Sequence, residues 1–158
     1  MSGDLGRMKA KTESVASVLN SLIKTCKDGQ EGFRSAAEYM QIADFKSLCT
    51  ELSMQRQQFA AELQSLVEDC GEEVETGGSF GGALRRGWMN VKAAISNGNE
   101  HAVFSECERS EDAAVAAYCD VLDHHELPED IRSVIREQYM EVSAAHDRVR
   151  DLRDRLGG

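Results

Sequence analysis

Apolar residues recur along most of this chain at intervals of three and four, the spacing of one helix face rather than of a strand. The first stripe is Val15, Val18, Leu19, Leu22, Cys26, Gly29, Phe33, Ala36, Ala37 and Met40. Thr12 or Ser14 stands where a hydroxyl caps its start. Gly29 and Gly32 interrupt it at a cost of about 1 kcal/mol each, although a glycine on the stripe also permits close approach by a neighbour. One helix is predicted through both. The second stripe is Phe45, Leu48, Leu52, Gln55, Phe59, Leu63 and Leu66, with Val67 beside it. It predicts a helix from near Asp44 to Asp69, closed at Cys70–Gly71 by a glycine free to take positive φ.

GEEVETGGSFGGALRRGW (71–88) then breaks the pattern. It holds neither GxxxxGK[ST] nor a GxGxxG set in a βαβ unit, so a phosphate loop is a weak reading. Ser79 is placed to cap a short helix carrying Leu84, Trp88, Val91 and Ile95, with Trp88 as a packing anchor and Arg85, Arg86 and Lys92 on its polar side. After SNGNE (96–100), a third long helix covers roughly 100–122 through Phe104, Cys107, Glu108, Glu111, Ala114, Val115, Tyr118 and Leu122. DHHELPED makes a turn, with Pro128 at the first position of the last helix and Glu129 and Asp130 in its first turn. That helix presents Ile131, Ile135, Gln138, Val142, Ala145, His146, Val149 and Leu152, and stops at Gly157–Gly158.

Four long helices of about 23–29 residues measure about 35–44 Å each at the helical rise. Short turns join the first to the second and the third to the fourth, and a long connection joins the two pairs. The economical solution is one all-α domain over 1–158: a four-helix bundle of two antiparallel hairpins with a lengthwise crossover containing the short helix. Its core spans about 12–155, and 1–11 form a flexible N-terminus.

This topology puts several polar residues at one level. Counted down from the turn near residue 41, Gln30, Glu51, Glu108, Glu111 and His146 all fall about 8–11 residues along their helices, with Gln55 one turn below Glu51. Glu108 and Glu111 lie on their stripe and share a face. Glu31 is at the right level, but an unbroken helix turns it outward. Inward carboxylates require pairing, hydrogen bonding or a metal. The candidate cations are a metal, a protonated His146, Arg109, Arg136, Arg56 and Arg148. A carboxylate-bridged iron or manganese pair uses one Glu from each of two helices and Glu-x-x-His from the other two. Here Met54 stands where Glu51 calls for histidine, and Ser143 where His146 calls for glutamate. A metal-free polar layer, a non-standard metal site using Glu51, Glu108, Glu111 and His146, and solvent-facing residues remain the alternatives. Tyr118 and Tyr139 are candidates to support such a layer or to tune and shield a metal there.

The 158 residues carry a net charge of −10, which disfavours binding to a phosphate backbone. No nucleic-acid motif, signal peptide or membrane span is evident, and the cytoplasm is the expected location. Five cysteines, an odd number without CxxC spacing, read as small buried hydrophobes. Cys26, between Lys24 and Lys27, is the one candidate for thiol chemistry. His124 and His125 read as an exposed turn, and His101 carries no stronger signal.

LNSLIKTCKDGQEGFRSAAE (19–38), ELSMQRQQFAAELQSLV (51–67), GSFGGALRRGWMNVKAAI (78–95), CERSEDAAVAAY (107–118) and LPEDIRSVIREQYMEVSAAHDRVRDLRD (127–154) together resemble a bacterial family of uncharacterised four-helix-bundle proteins in the ferritin-like superfamily. The resemblance covers about 12–155 and implies a ferritin-like bundle. The superfamily's metal pattern carries over only to Glu51, one of Glu108 or Glu111, and His146. Gln30, Met54 and Ser143 depart from it, which disfavours diiron chemistry. Two functions follow as expectations. One is a non-enzymatic bundle with a stress-related or protein-interaction role, forming a homo-oligomer, a dimer first of all, or binding another protein. The other is an iron- or manganese-binding protein with oxidase or iron-handling activity.

Overall fold

The computed structural model describes residues 14–71 and 82–157, without the side chains of 82–88 and 156–157. The expected N-terminal flexibility, the Thr12 and Ser79 caps, most of the glycine-rich connection and the side chains of Arg85, Arg86 and Trp88 lie outside the described residues. Five helices and no strands are formed among the described residues: α1 (Val15–Tyr39), α2 (Ala43–Asp69), α3 (Gly82–Ser96), α4 (Glu100–His124) and α5 (Glu129–Gly157).

Local chemistry explains their limits. Ser14 Oγ accepts from the Ser17 amide at 3.1 Å and Asn99 Oδ1 from the Ala102 amide at 3.1 Å, each satisfying an otherwise unpaired N–H of the first turn. α1 continues unbroken through Gly29 and Gly32, and Glu31 faces solvent beside Arg34. α2 ends where Gly71 takes φ 75°. Pro128 stands one residue before α5, its carbonyl accepting from the Arg132 amide at 2.9 Å, rather than at the first helical position.

Long-range hydrogen bonds set the helix directions. Ser53 Oγ donates to the Gln30 carbonyl and Lys46 Nζ to the Ala37 carbonyl, both at 2.9 Å, so α1 and α2 run antiparallel. Arg132 reaches the Leu122 carbonyl and Tyr118 reaches Gln138, both at 2.7 Å, which makes α4 and α5 antiparallel as well. Glu100, at the start of α4, accepts from the amides of Gln41 and Ile42 in the α1–α2 turn. The chain therefore re-enters α4 at the same end at which α1 finishes. α3 packs against α1 and α4.

The interior is divided. One apolar cluster, nearer the α1–α2 turn, includes Phe33, Phe45, Leu52, Phe104, Cys107 and Val149. The other includes Leu22, Cys26, Phe59, Tyr118, Ile135 and Val142. Neither contains a residue from 27–32 of α1, 53–58 of α2 or 108–113 of α4. The interval between them holds the buried Arg56 and Glu111.

Glu100 joins a helix start to a turn 58 residues earlier in sequence, and its carboxylate also meets the positive end of the α4 dipole. Glu100→Ala is expected to cost about 1.5–3 kcal/mol in urea denaturation, the range of a hydrogen bond to a charged group. A loss within about 0.5 kcal/mol, ordinary for a surface position, would show that this contact does not fix the α4 start.

Candidate functional site

Among the described residues Arg56 is the largest fully buried side chain, 1% exposed, and faces Glu111, 0% exposed. Its Nη1 donates to Oε1 at 2.7 Å and its Nη2 to Oε2 at 2.6 Å. This two-pronged geometry is the strongest arrangement available to the pair, since the guanidinium fork matches both carboxylate oxygens. Nε donates to Gln55 Oε1 at 3.2 Å, and Cζ lies 5.5 Å from the Phe33 ring centroid. Burial pulls the Arg56 pKa down, but the Glu111 charge and its hydrogen bonds more than offset this and hold it above the ordinary arginine value. Arg56 is thus the cation that neutralises Glu111.

Gly29 makes the room. A Cβ there would lie 3.3 Å from Arg56 Nη1 and 3.4 Å from its Cγ, tighter than ordinary contact. Arg56, held at both ends, has no freedom to retreat. The glycine in the α1 stripe is therefore the close-approach kind.

The other residues expected in one layer are distributed among separate partners. Glu51 is exposed and bridged by Arg148 on α5 at 3.1 and 2.7 Å. Glu108 is mostly buried and pairs with Arg153, a cation outside the anticipated set. His146 lies between Asp112, 2.5 Å from Nε2, and Asp147, 3.3 Å from Nδ1. Arg109 and Arg136 sit at the surface beside Glu106 and Glu129. Gln30 contributes its backbone carbonyl, to Ser53, and Gln55 touches Arg56. Met54 is 66% exposed and Ser143 half-buried, so neither faces the Glu111 carboxylate. Only Glu111 and Gln55 of the expected group meet at Arg56.

A second buried polar chain lies in the other half of the core. Tyr118 donates to Gln138 Oε1 at 2.7 Å, and its hydroxyl meets Cys26 Sγ at 3.1 Å. Gln138 Nε2 reaches the Phe59 carbonyl at 3.4 Å. Burial pushes the Cys26 thiol up to about 11, despite the Tyr118 hydrogen bond and the Arg56 charge. That holds it protonated at neutral pH and removes the motive for a nucleophilic Cys26. Burial likewise raises Tyr118 well above the usual phenol value. Tyr139 is half-buried and accepts from the Cys119 thiol at 3.8 Å, apart from Glu111.

Whether iron or manganese fits is decided by the donors. Both Glu111 oxygens accept from Arg56, both Glu51 oxygens from Arg148, and the two His146 nitrogens face aspartates. Among the described residues no group of three or more His, Cys, Asp or Glu is arranged to hold a metal ion. A metal at Glu111 would have to displace a fully buried guanidinium, and these residues do not fit such a centre.

With this geometry in view, the chain can be placed. A family model described as Domain of unknown function (DUF2383) matches residues 14–124. The chain belongs to this family. The DUF2383 match runs from the Ser14 cap to the end of α4, so Gly29, Phe33, Arg56 and Glu111 fall within it. Gln138, His146, Arg148 and Arg153, all on α5, lie beyond it. No curated protein matches the chain. No helix among the described residues is long and apolar enough to cross a membrane.

Arg56→Met and Glu111→Leu each strand one buried charge and are expected to cost about 3–5 kcal/mol in urea denaturation. The double variant Arg56→Met/Glu111→Leu, apolar on both sides, should regain most of that loss. Single losses under about 1 kcal/mol, the value of an exposed pair, would contradict a desolvated bridge. His146 gives a pH signature. Burial lowers its pKa, but hydrogen bonds to Asp147 and Asp112 and the Asp112 charge raise it, for a net value above that of a free histidine. Its stabilisation is therefore fully present below the unfolded pKa and is lost as pH rises through the higher folded value. The stability difference between parent and His146→Gln should be largest near pH 5.5 and shrink above pH 8; a difference that grows with pH would reverse the assignment.

Proposed function

We propose that this chain is a ferritin-like four-helix bundle that serves as a non-enzymatic interaction protein, with an internal arginine in the place where relatives of that architecture carry metal. The observation that carries this reading is the two-pronged Arg56–Glu111 bridge at the centre of the helices. A buried carboxylate needs one cation, and a covalently attached guanidinium satisfies it permanently. The antiparallel α1–α2 and α4–α5 pairs, with the return of the chain between α2 and α4, support the bundle description. Cys26 is held protonated by burial, and among the described residues no group of three or more ligating side chains is arranged to hold a metal. What is left for function is the surface, and self-association as a dimer in the cytoplasm, under stress conditions, is the form proposed.

Purification without chelator followed by elemental analysis tests the central point. We expect no stoichiometric transition metal, no shift in melting temperature on anaerobic Fe(II) or Mn(II) addition, and a concentration-dependent dimer in sedimentation. Stoichiometric iron or manganese that disappears in Glu111→Gln would overturn the metal-free centre. A monomer at all concentrations would overturn the dimer.

A further inference from the structure

Side chains of α2 and α4 meet at two places. Phe45 stacks on Phe104 with ring centroids 3.4 Å apart and planes within 10°, and Arg56 grips Glu111. Both helices run away from the end marked by Glu100, so the stretches between these contacts lie at the same levels of the bundle. Cys49 lies four residues beyond Phe45 and seven before Arg56, on the same helix face. Cys107 lies three beyond Phe104 and four before Glu111, again on one face. The spans differ, about 10 Å from Cys49 to Arg56 against about 6 Å from Cys107 to Glu111. The long Arg56 side chain leans toward the N-terminus of its helix and takes up this difference. Both thiols are free, 1% and 0% exposed, and belong to the same apolar cluster.

From this bracketing we propose that Cys49 and Cys107 form a redox-modification site, a core dithiol that hydrogen peroxide converts to a disulfide tying α2 to α4. One thiol attacks the peroxide O–O bond, gaining oxygen as a sulfenic acid while the first water leaves. The second thiol then attacks that sulfur; the S–S bond forms, the S–O bond breaks and the second water leaves. Two thiols lose two electrons and the peroxide is reduced to two waters. Cys49 and Cys107 are 1% and 0% exposed, so oxidation waits on opening of the helices and is slow in the closed protein; the neighbouring Cys49 thiol and burial also raise the Cys107 thiol well above the usual range. Such a site responds to sustained oxidant rather than to a brief pulse.

The full chain, treated with hydrogen peroxide, blocked with N-ethylmaleimide in denaturant and digested with trypsin without reductant, gives the test. Peptides 47–56 and 93–109 each carry one of these cysteines and no other. We expect them joined, lighter by two hydrogens and released by reductant, with blocked thiols falling from five to three. Cys49→Ala should abolish the link and leave Cys107 blocked by maleimide. The proposal is overturned if both peptides stay separately blocked, or if either carries sulfinic acid, while the more exposed Cys70 and Cys119 oxidise.

Discussion

A guanidinium and a carboxylate cannot enter a helical core separately; each alone would cost several kcal/mol, and only together, with every strong hydrogen bond made, is the cost offset. Arg56 and Glu111 meet that requirement, and much of the surrounding interior follows from it. α1 must present glycine at 29, because a methyl group would crowd the arginine. Phe33 offers the guanidinium an aromatic face. The apolar core must part into two clusters, one on either side of the bridge.

The ion pairs around it differ in kind. Glu51–Arg148 joins α2 to α5, but its side chains are 59% and 50% exposed. An exposed pair of this sort contributes about 0–1 kcal/mol and weakens with salt. Glu108–Arg153 is more enclosed, and His146 answers to two aspartates. Each acidic group of the expected layer has thus acquired its own basic partner. Electrostatic neutrality is reached pair by pair instead of around a shared ion.

Helix number, turns and the inward direction of Glu111 were legible because they depend on periodicity and on a level count that short turns make reliable. The partner was not. The apolar spacing of α2 runs through Gln55 and Leu66, yet the buried positions are Arg56 and Val67, one residue further on. Phe45, Cys49, Leu52, Arg56, Phe59 and Leu63 form an alternating three-and-four seam with an arginine in it. That seam was the available signal, obscured because a hydrophobicity pattern has no way to score a charge as interior until its counter-charge is found. The spread of Glu51 and His146 was illegible for another reason. Both lie on stripe flanks, where a rotation of a few tens of degrees decides between a shared centre and a private partner across the seam.

An apolar core would have sufficed for cohesion, so the bridge is better understood as fixing position. Sliding α2 by one turn past α4, about 5.4 Å, exchanges one set of small and aliphatic contacts for another at modest cost. The same slide separates two buried charges, which costs several kcal/mol. The pair therefore selects one register among several that hydrophobic packing alone would separate weakly. That register in turn sets Phe45 against Phe104. A metal can perform the same selection, but it couples folding to metal supply and to pH. An arginine carried on the chain removes that dependence, and the helices can reach this register with no ion from outside.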